Sequence, residues 1–334
     1  MALRKSSDRG FWISKLFYYQ SIIYFYYNSL RFWSFTFFSA ANPAIKYGGM
    51  LDDKKSDTYR FLPDRLVPVT IVTDQSQDFL AQMRYRSLDF PIIVKPDVGF
   101  KGFLVAKIDN EASLFQFVQR FEDKSFIIQE YVDFEREYSI LLYRYPISGR
   151  TYVSSFIEKS YPQVLGDGIH TLEQLIDDDD NPFIDKSWVK EKWGSELGRV
   201  LRRKEIFRLD DIGNYSRGAK FHSLNHLLDN EYIEWADSLM RGMEGIDFCR
   251  LDLKADSERA MLQNEYKIME LNGAKSEPLH IYDPMYSFAD VIKDIHTHWT
   301  ILSAIVRERL RLSFTLPSFK EGFKSFKVAK NIGK

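Results

Sequence analysis

Two short runs, Arg250-Leu-Asp-Leu-Lys254 and Ile268-Met-Glu-Leu-Asn-Gly-Ala274, constrain this chain more than any other part of it. Each alternates polar with apolar residues, the period-2 pattern of a strand with one buried face. Arg250 and Asp252 then share a face of the first strand, and Glu270 and Asn272 share a face of the second. The polar linker from Ala255 to Glu265 holds no turn dipeptide, so the pair reads as a hairpin with a loose tip. Pairing gathers two carboxylates, an amide and a guanidinium on one surface. Buried carboxylates without a partner are costly, so such a cluster calls for a cation. Hard oxygen donors of this kind suit Mg²⁺ shared with substrate phosphates. A solvated hairpin face with ordinary charges gives the same pattern, and these runs alone leave both readings open.

Composition narrows the choices. The chain has 334 residues and a net charge of −1, enough for one large domain or two smaller ones, with nothing in the balance pointing to nucleic acid. A single cysteine, Cys249, excludes an internal disulfide framework and fits a reducing compartment. Beside Arg250 on a strand, it is expected to be a small buried residue rather than a nucleophile. His222 and His226 have the spacing of helix metal ligands, but no HExxH glutamate stands between them. Asp177 to Asp180 is most simply a solvated loop. Gly-x-Ser-x-Gly, Walker A and GxGxxG patterns are absent.

Within residues 11–38 the aromatic pairs Phe11/Trp12, Tyr18/Tyr19, Phe25/Tyr26 and Phe32/Trp33 lie seven apart. This predicts a helix with a broad aromatic face and a narrow polar stripe through Ser14/Lys15, Ser21 and Asn28/Ser29. The stretch between Lys15 and Arg31 is too short and too polar to span a bilayer, and the whole is too long and tyrosine-rich for a signal peptide. Two readings stand: an interfacial helix with Trp and Tyr at headgroup level, or a helix packed on the domain behind it. The segmentation is 1–45 for this aromatic helical segment, 46–315 for the main domain and 316–334 for a basic tail. In the tail, Phe319, Phe323 and Phe326 stand beside Lys320, Lys324 and Lys327. It is expected to be disordered or loosely packed, with contact to anionic lipid as the alternative.

Between these ends, Lys95 closes an apolar strand beside a loop that holds Gly99 and Gly102. There an ammonium and loop N–H groups can hold phosphate. A helix over 111–121, a strand over 126–132 and a hairpin of 135–144 with 151–159 follow. Thr171 is a helix N-cap, 188–203 a charged helix, and 209–221 a loop rich in amide, hydroxyl and cationic groups. A helix over 230–244 leads to the Arg250 strand, and 282–311 is mostly helical.

The order of these motifs resembles the ATP-grasp superfamily across roughly residues 50–300. PIIVKPDVGFKG, IIQEYVDFEREYSI and RLDL…YKIMELN are similar to the nucleotide and metal motifs of D-alanine–D-alanine ligase, whereas GDGIHTLEQLI and GNYSRGAKF look more like cyanophycin synthetase. The resemblance implies an α+β ATP-grasp fold, with two α+β subdomains gripping ATP. It implies that Lys95 contacts the α/β-phosphates, that Gly99 and Gly102 close over them, that Glu130, Tyr131 and Val132 form the hinge at the adenine, and that Glu137 takes the ribose hydroxyls. Asp252, Glu270 and Asn272 match the ligands of one or two Mg²⁺ ions, for which Mn²⁺ can substitute. Arg250 matches the arginine that steadies the transferring phosphoryl group. An earlier nucleotide lysine is Lys54 or Lys55, and the choice is open. Lys159, Arg217 and Lys220, with Asn214 beside them, are candidate substrate or γ-phosphate contacts. Lys275, Ser276, Glu277 and His280 are candidate acceptor contacts.

The implied activity is an ADP-forming, ATP-dependent carboxylate–amine (or carboxylate–thiol) ligase that works through an acyl phosphate on small molecules. Such a protein is expected in the cytoplasm, with peripheral contact to the membrane's inner face if the aromatic helix is interfacial. Alternatives are a phosphotransferase acting on a hydroxyl and a membrane-associated nucleotide-binding protein without catalysis. One departure stands out. The ligases place a sizeable α/β domain before the first nucleotide lysine, and here the aromatic helix replaces most of it.

Overall fold

A computed structural model describes residues 9–50, 54–98, 104–121 and 125–322. The first element, α1 (Arg9–Arg31), is the aromatic helix. It stops short of residue 38 because Trp33 takes a left-handed φ of 50° and turns the chain into a 3-10 turn at Phe37–Ala41. A short α2 (Lys55–Tyr59) and β1 (Thr70–Thr73) follow, then α3 (Phe79–Tyr85), which the Asp78 carboxylate caps by accepting from the Ala81 N–H. Next come β2 (Ile92–Pro96), β3 (Ala106–Ile108), α4 (Glu111–Val118) and β4 (Phe126–Glu130). These strands form an antiparallel four-stranded sheet in the order β1-β4-β2-β3. Phe79, Leu114, Val118 and Phe126 close its core against α3 and α4.

The second sheet has five antiparallel strands in the order β11-β10-β5-β6-β9: β5 (Arg136–Arg144), β6 (Thr151–Ser160), β9 (Lys220–Ser223), β10 (Phe248–Ala255) and β11 (Tyr266–Asn272). The expected hairpin of β5 with β6 is present, and so is that of β10 with β11. The latter's tip is not loose, because it carries a short helix, α8 (Glu258–Leu262). One face of this sheet buries Leu251, Leu253 and Ile268 against α7 (Asn230–Arg241). On the opposite face, Phe248 packs with α1 and the long α9 (Phe288–Arg311), while Arg250, Asp252 and Lys254, the following residues of that parity, line a cavity.

A small excursion between β6 and β9 carries β7 (Gln163–Leu165), α5 (Leu172–Asp178), α6 (Lys186–Lys192) and β8 (Ile206–Arg208) around its own core. Thr171 and Gln174 form the capping box of α5. The charged helix expected over 188–203 ends at Lys192, and Gly194 and Gly198 lie in the stretch that follows.

Asn42 ties the start of the chain to the site. Its side chain accepts from the Asp247 and Phe248 N–H groups and donates to the Gly48 and Phe248 carbonyls. Gly48 O in turn accepts from the Ala274 N–H, and a Cβ on Gly273 would stand 2.4 Å from that oxygen, so only glycine fits beside Asn272. Asn42→Ala removes all four of these buried hydrogen bonds, leaving Gly48 O only the Ala274 N–H and the Asp247 N–H only the Ala41 carbonyl, and is expected to cost about 2–4 kcal/mol. The measurement is a lower urea midpoint at unchanged m-value.

Candidate active site

The two sheets face one another across a cavity of about 800 Å³. Its wall carries eight lysine or arginine side chains and five carboxylates, although the chain as a whole has a net charge of −1. The wall thus carries an excess of positive charge, which suits an anionic ligand.

The floor is the β10–β11 pair. Asp252 stands directly opposite Glu270, and Arg250 opposite Asn272. The register slips after Asp252, so Met269 has no partner and its carbonyl leaves the ladder. That oxygen accepts from Tyr59 Oη at 2.9 Å and from Lys95 Nζ at 3.3 Å. Lys95 also donates to Tyr59 Oη at 2.9 Å and to Gln129 Oε1 at 2.8 Å. All three partners are neutral, so the ammonium's charge is not neutralised by a hydrogen-bonded carboxylate.

Asp252, by contrast, is surrounded by charge. Its Oδ1 accepts from Ser139 Oγ at 2.6 Å and lies 3.5 Å from Lys159 Nζ and 3.4 Å from Arg250 Nε. The Arg250 contact is an ion pair without hydrogen-bond geometry, since its buried Nε has no hydrogen-bond partner. Burial pushes the Asp252 carboxyl upward, but Lys159 and Arg250 outweigh it and hold the group below the usual range. Burial likewise depresses Lys159, and Asp252 with Glu137 more than reverses the effect. Glu137 receives Lys159 Nζ at 2.7 Å and the Tyr161 hydroxyl at 3.1 Å. Gly213 approaches so closely that a Cβ there would lie 2.7 Å from Glu137 Oε2.

Other expectations fall on both sides. Lys55 lines the cavity and pairs with Glu270 at 3.8 Å, whereas Lys54 is exposed and outside the wall. Tyr131 and Val132 line it; the Val132 carbonyl accepts from Lys254 Nζ at 3.1 Å. Glu130 does not line it, because its carboxylate turns to the Val69 N–H at 2.9 Å. Arg217 is drawn out of the wall by Asp210 at 2.6 Å and by the Trp188 ring, and Lys220 is exposed on β9, so neither candidate joins the site. Asn214, Lys275, Ser276 and Glu277 are in the wall. His280 is buried behind it, with Nε2 2.9 Å from Asp294 Oδ2. Gly99 and Gly102 lie outside the described residues. Cys249 is buried as expected, and burial pushes its thiol up to about 12.

Tyr59, Gln129, Lys254 and Tyr161 take part without having been singled out. Lys254 was within reach of the period-2 argument, two residues beyond Asp252 on the same face. Burial depresses its ammonium.

The donor set of Asp252, Glu270 and Asn272 consists of hard oxygens, which suits Mg²⁺ completing its shell with phosphate and water. Asn272 Nδ2 is buried without a partner, so the protein has not fixed this amide from that side. Among the described residues no group of three or more His, Cys, Asp or Glu side chains forms an all-protein metal cage. A metal here would be shared with its ligand.

No protein-family model and no curated protein matches this sequence. Solved structures similar to it include a bifunctional glutathione synthetase from Pasteurella multocida, at 16% identity and TM-score 0.43, covering 77% of this chain and 38% of that one. The D-alanine–D-alanine ligase from Bacillus anthracis gives 14% identity and TM-score 0.43, over 78% of this chain and 67% of that one. The VanG D-Ala:D-Ser ligase from Enterococcus faecalis gives 12% and 0.44, over 79% and 62%. This chain thus spans well under half of the glutathione synthetase. Likenesses this distant leave the assignment to the cavity's own geometry.

Proposed function

We propose that the chain is an ATP-grasp carboxylate–amine ligase, forming ADP and phosphate from Mg-ATP through an acyl phosphate. The observation that carries the reading is the Asp252–Glu270 pair on the floor of a cavity walled by Lys55, Lys95, Lys159 and Arg250. Two opposed carboxylates inside a cationic wall suit a polyphosphate with its metal better than any neutral ligand.

In this reading Asp252, Glu270 and Asn272 hold Mg²⁺, which when bound neutralises charge on the phosphate oxygens. Lys95 exchanges its neutral partners for phosphate oxygens, and Lys55 and Lys159 sit where they can follow. The backbone at Tyr131 and Val132 meets the base, and Glu137, whose carboxylate has acceptor sites beyond its bonds to Lys159 and Tyr161, meets the ribose. A substrate carboxylate oxygen attacks the γ-phosphorus and ADP leaves. An amine then attacks the acyl carbon, phosphate leaves and the amine loses a proton. Arg250 supplies positive charge beside the transferring group, so charge spread over its oxygens is stabilised more than in the ground state. Ser276, Lys275 and Glu277 border the acceptor end.

The test is an ADP-release screen of carboxylic acids crossed with amines. Release that requires both supports the ligase. A stable phosphorylated hydroxyl compound replaces it with a phosphotransferase, and nucleotide binding without turnover on any pair replaces it with a non-catalytic site.

A further inference from the structure

One side of α1 is bedded on the domain. Tyr24 stacks on Trp299 at 6.0 Å and its hydroxyl lies 2.7 Å from His296 Nδ1, while Trp299 Nε1 donates to Ser21 Oγ at 3.2 Å. The other side is bare. Trp12, Tyr19, Tyr26 and Trp33, each seven residues from the next, are exposed, with Ile23 and Leu30 between them at 67% and 70% exposure and Trp33 at 91%. At 1.5 Å per residue the helical part of this stripe, from Trp12 to Leu30, runs about 27 Å, and Trp33 stands just past the helix end. Lys15 is the only charged residue between Arg9 and Arg31.

Both ends of the stripe are basic. The chain before it carries Arg4 and Lys5 beside Arg9, against Asp8. The chain after it returns to the same place, because the Phe319 ring packs on Phe35 at 5.3 Å and Thr36 Oγ1 donates to the Pro317 carbonyl at 2.6 Å. From residue 320 onward the sequence holds five lysines and one glutamate. We infer that this face docks on an anionic lipid surface, with Trp and Tyr at headgroup depth and the two basic ends on the phosphates.

The chemistry favours lipid over the other candidate, a second copy of this chain. A second copy brings flanking segments of the same positive charge, which repel. A bilayer carrying negative lipid complements both ends at once, and Trp and Tyr prefer its interface to water or hydrocarbon. The helix would lie on the membrane, since no helix among the described residues is long and apolar enough to cross one. The inference stands independently of the proposed activity.

Sedimentation of the full chain with phosphatidylcholine vesicles, with and without phosphatidylserine, is the test. We expect partition into the anionic vesicles, falling at high salt. The combined change Tyr19→Ser, Ile23→Ser and Tyr26→Ser touches exposed residues only and should lower partition ~10-fold or more. Deleting residues 323–334 should reduce the preference for vesicles with phosphatidylserine, and an unchanged preference would overturn the role of the basic ends. Wild-type protein left in the supernatant with both vesicles at low salt overturns the proposal, as does equal sedimentation of the triple variant. A solution dimer that the same triple change dissociates would assign the stripe to self-association instead, and would overturn it too.

Discussion

Glu270→Gln is expected to lower turnover in the ADP-release assay ~10²–10³-fold, the usual loss when one charge-stabilising group is removed from a reacting centre. The change keeps shape and removes charge. Stability should hardly move, because the side chain is 32% exposed and its ion pair with Lys55 is long, at 3.8 Å. Such half-exposed pairs contribute ~0–1 kcal/mol. Kinetics at several Mg²⁺ concentrations should show the defect partly relieved as the metal rises, since a lost ligand weakens metal binding. Undiminished turnover with correct substrates in hand would remove Glu270 from the chemistry and, with it, the observation on which the ligase reading rests.

Asp252→Ala also removes a proposed metal ligand, but unlike Glu270→Gln it should lower stability as well. It strips buried Lys159 and half-buried Arg250 of a shared counter-charge. Breaking a buried pair from one side costs ~3–5 kcal/mol. Lys159 keeps Glu137 at 2.7 Å, which places the expected loss near the lower bound. In a thermal melt of a chain this long, a loss near ~3 kcal/mol is a fall in Tm of about 4 °C. The isosteric Asp252→Asn separates charge from volume through its pH dependence. The folded carboxyl is held below its unfolded value, which is ~4. Its contribution is therefore full above that unfolded value and is lost as the pH falls through the folded one. The stability gap between wild type and Asp252→Asn should be constant near neutrality and close on acidification. A gap independent of pH would mean that Asp252 is not held ionised by its neighbours.

How far the sequence carries depends on the range of the interaction. Period-2 alternation is a local signal, and it places Arg250, Asp252, Glu270 and Asn272 on the cavity floor. It fails at one point for a reason of geometry. Strict alternation would set Ile268 on the same face as Glu270, but the bulge at Met269 returns Ile268 to the core and frees the carbonyl that meets Lys95. Nothing in KIMELN announces that extra residue. Arg217, Lys220 and His280 illustrate the opposite limit. Their chemistry suits a site, yet a polar side chain goes where its nearest partner lies, and Asp210 and Asp294 capture two of them while the third faces water. The choice between Lys54 and Lys55 turns on where one short helix begins. Aromatic periodicity in α1 announces a helix, but which side is bedded depends on Trp299 and His296, far along the chain.

That distance has a kinetic side. The Tyr24–His296 and Trp299–Ser21 contacts join residues 272 and 278 positions apart, so this part of the molecule has a very high contact order. During synthesis the aromatic helix emerges long before the bed that receives it, and both its bedded and its exposed aromatic sides are then without a partner. Gly10, Phe11 and Ser14 of the same helix line the cavity. That part of the cavity wall thus depends on the first described helix docking on the last long one, and a chain cut before α9 would lack the bed for it.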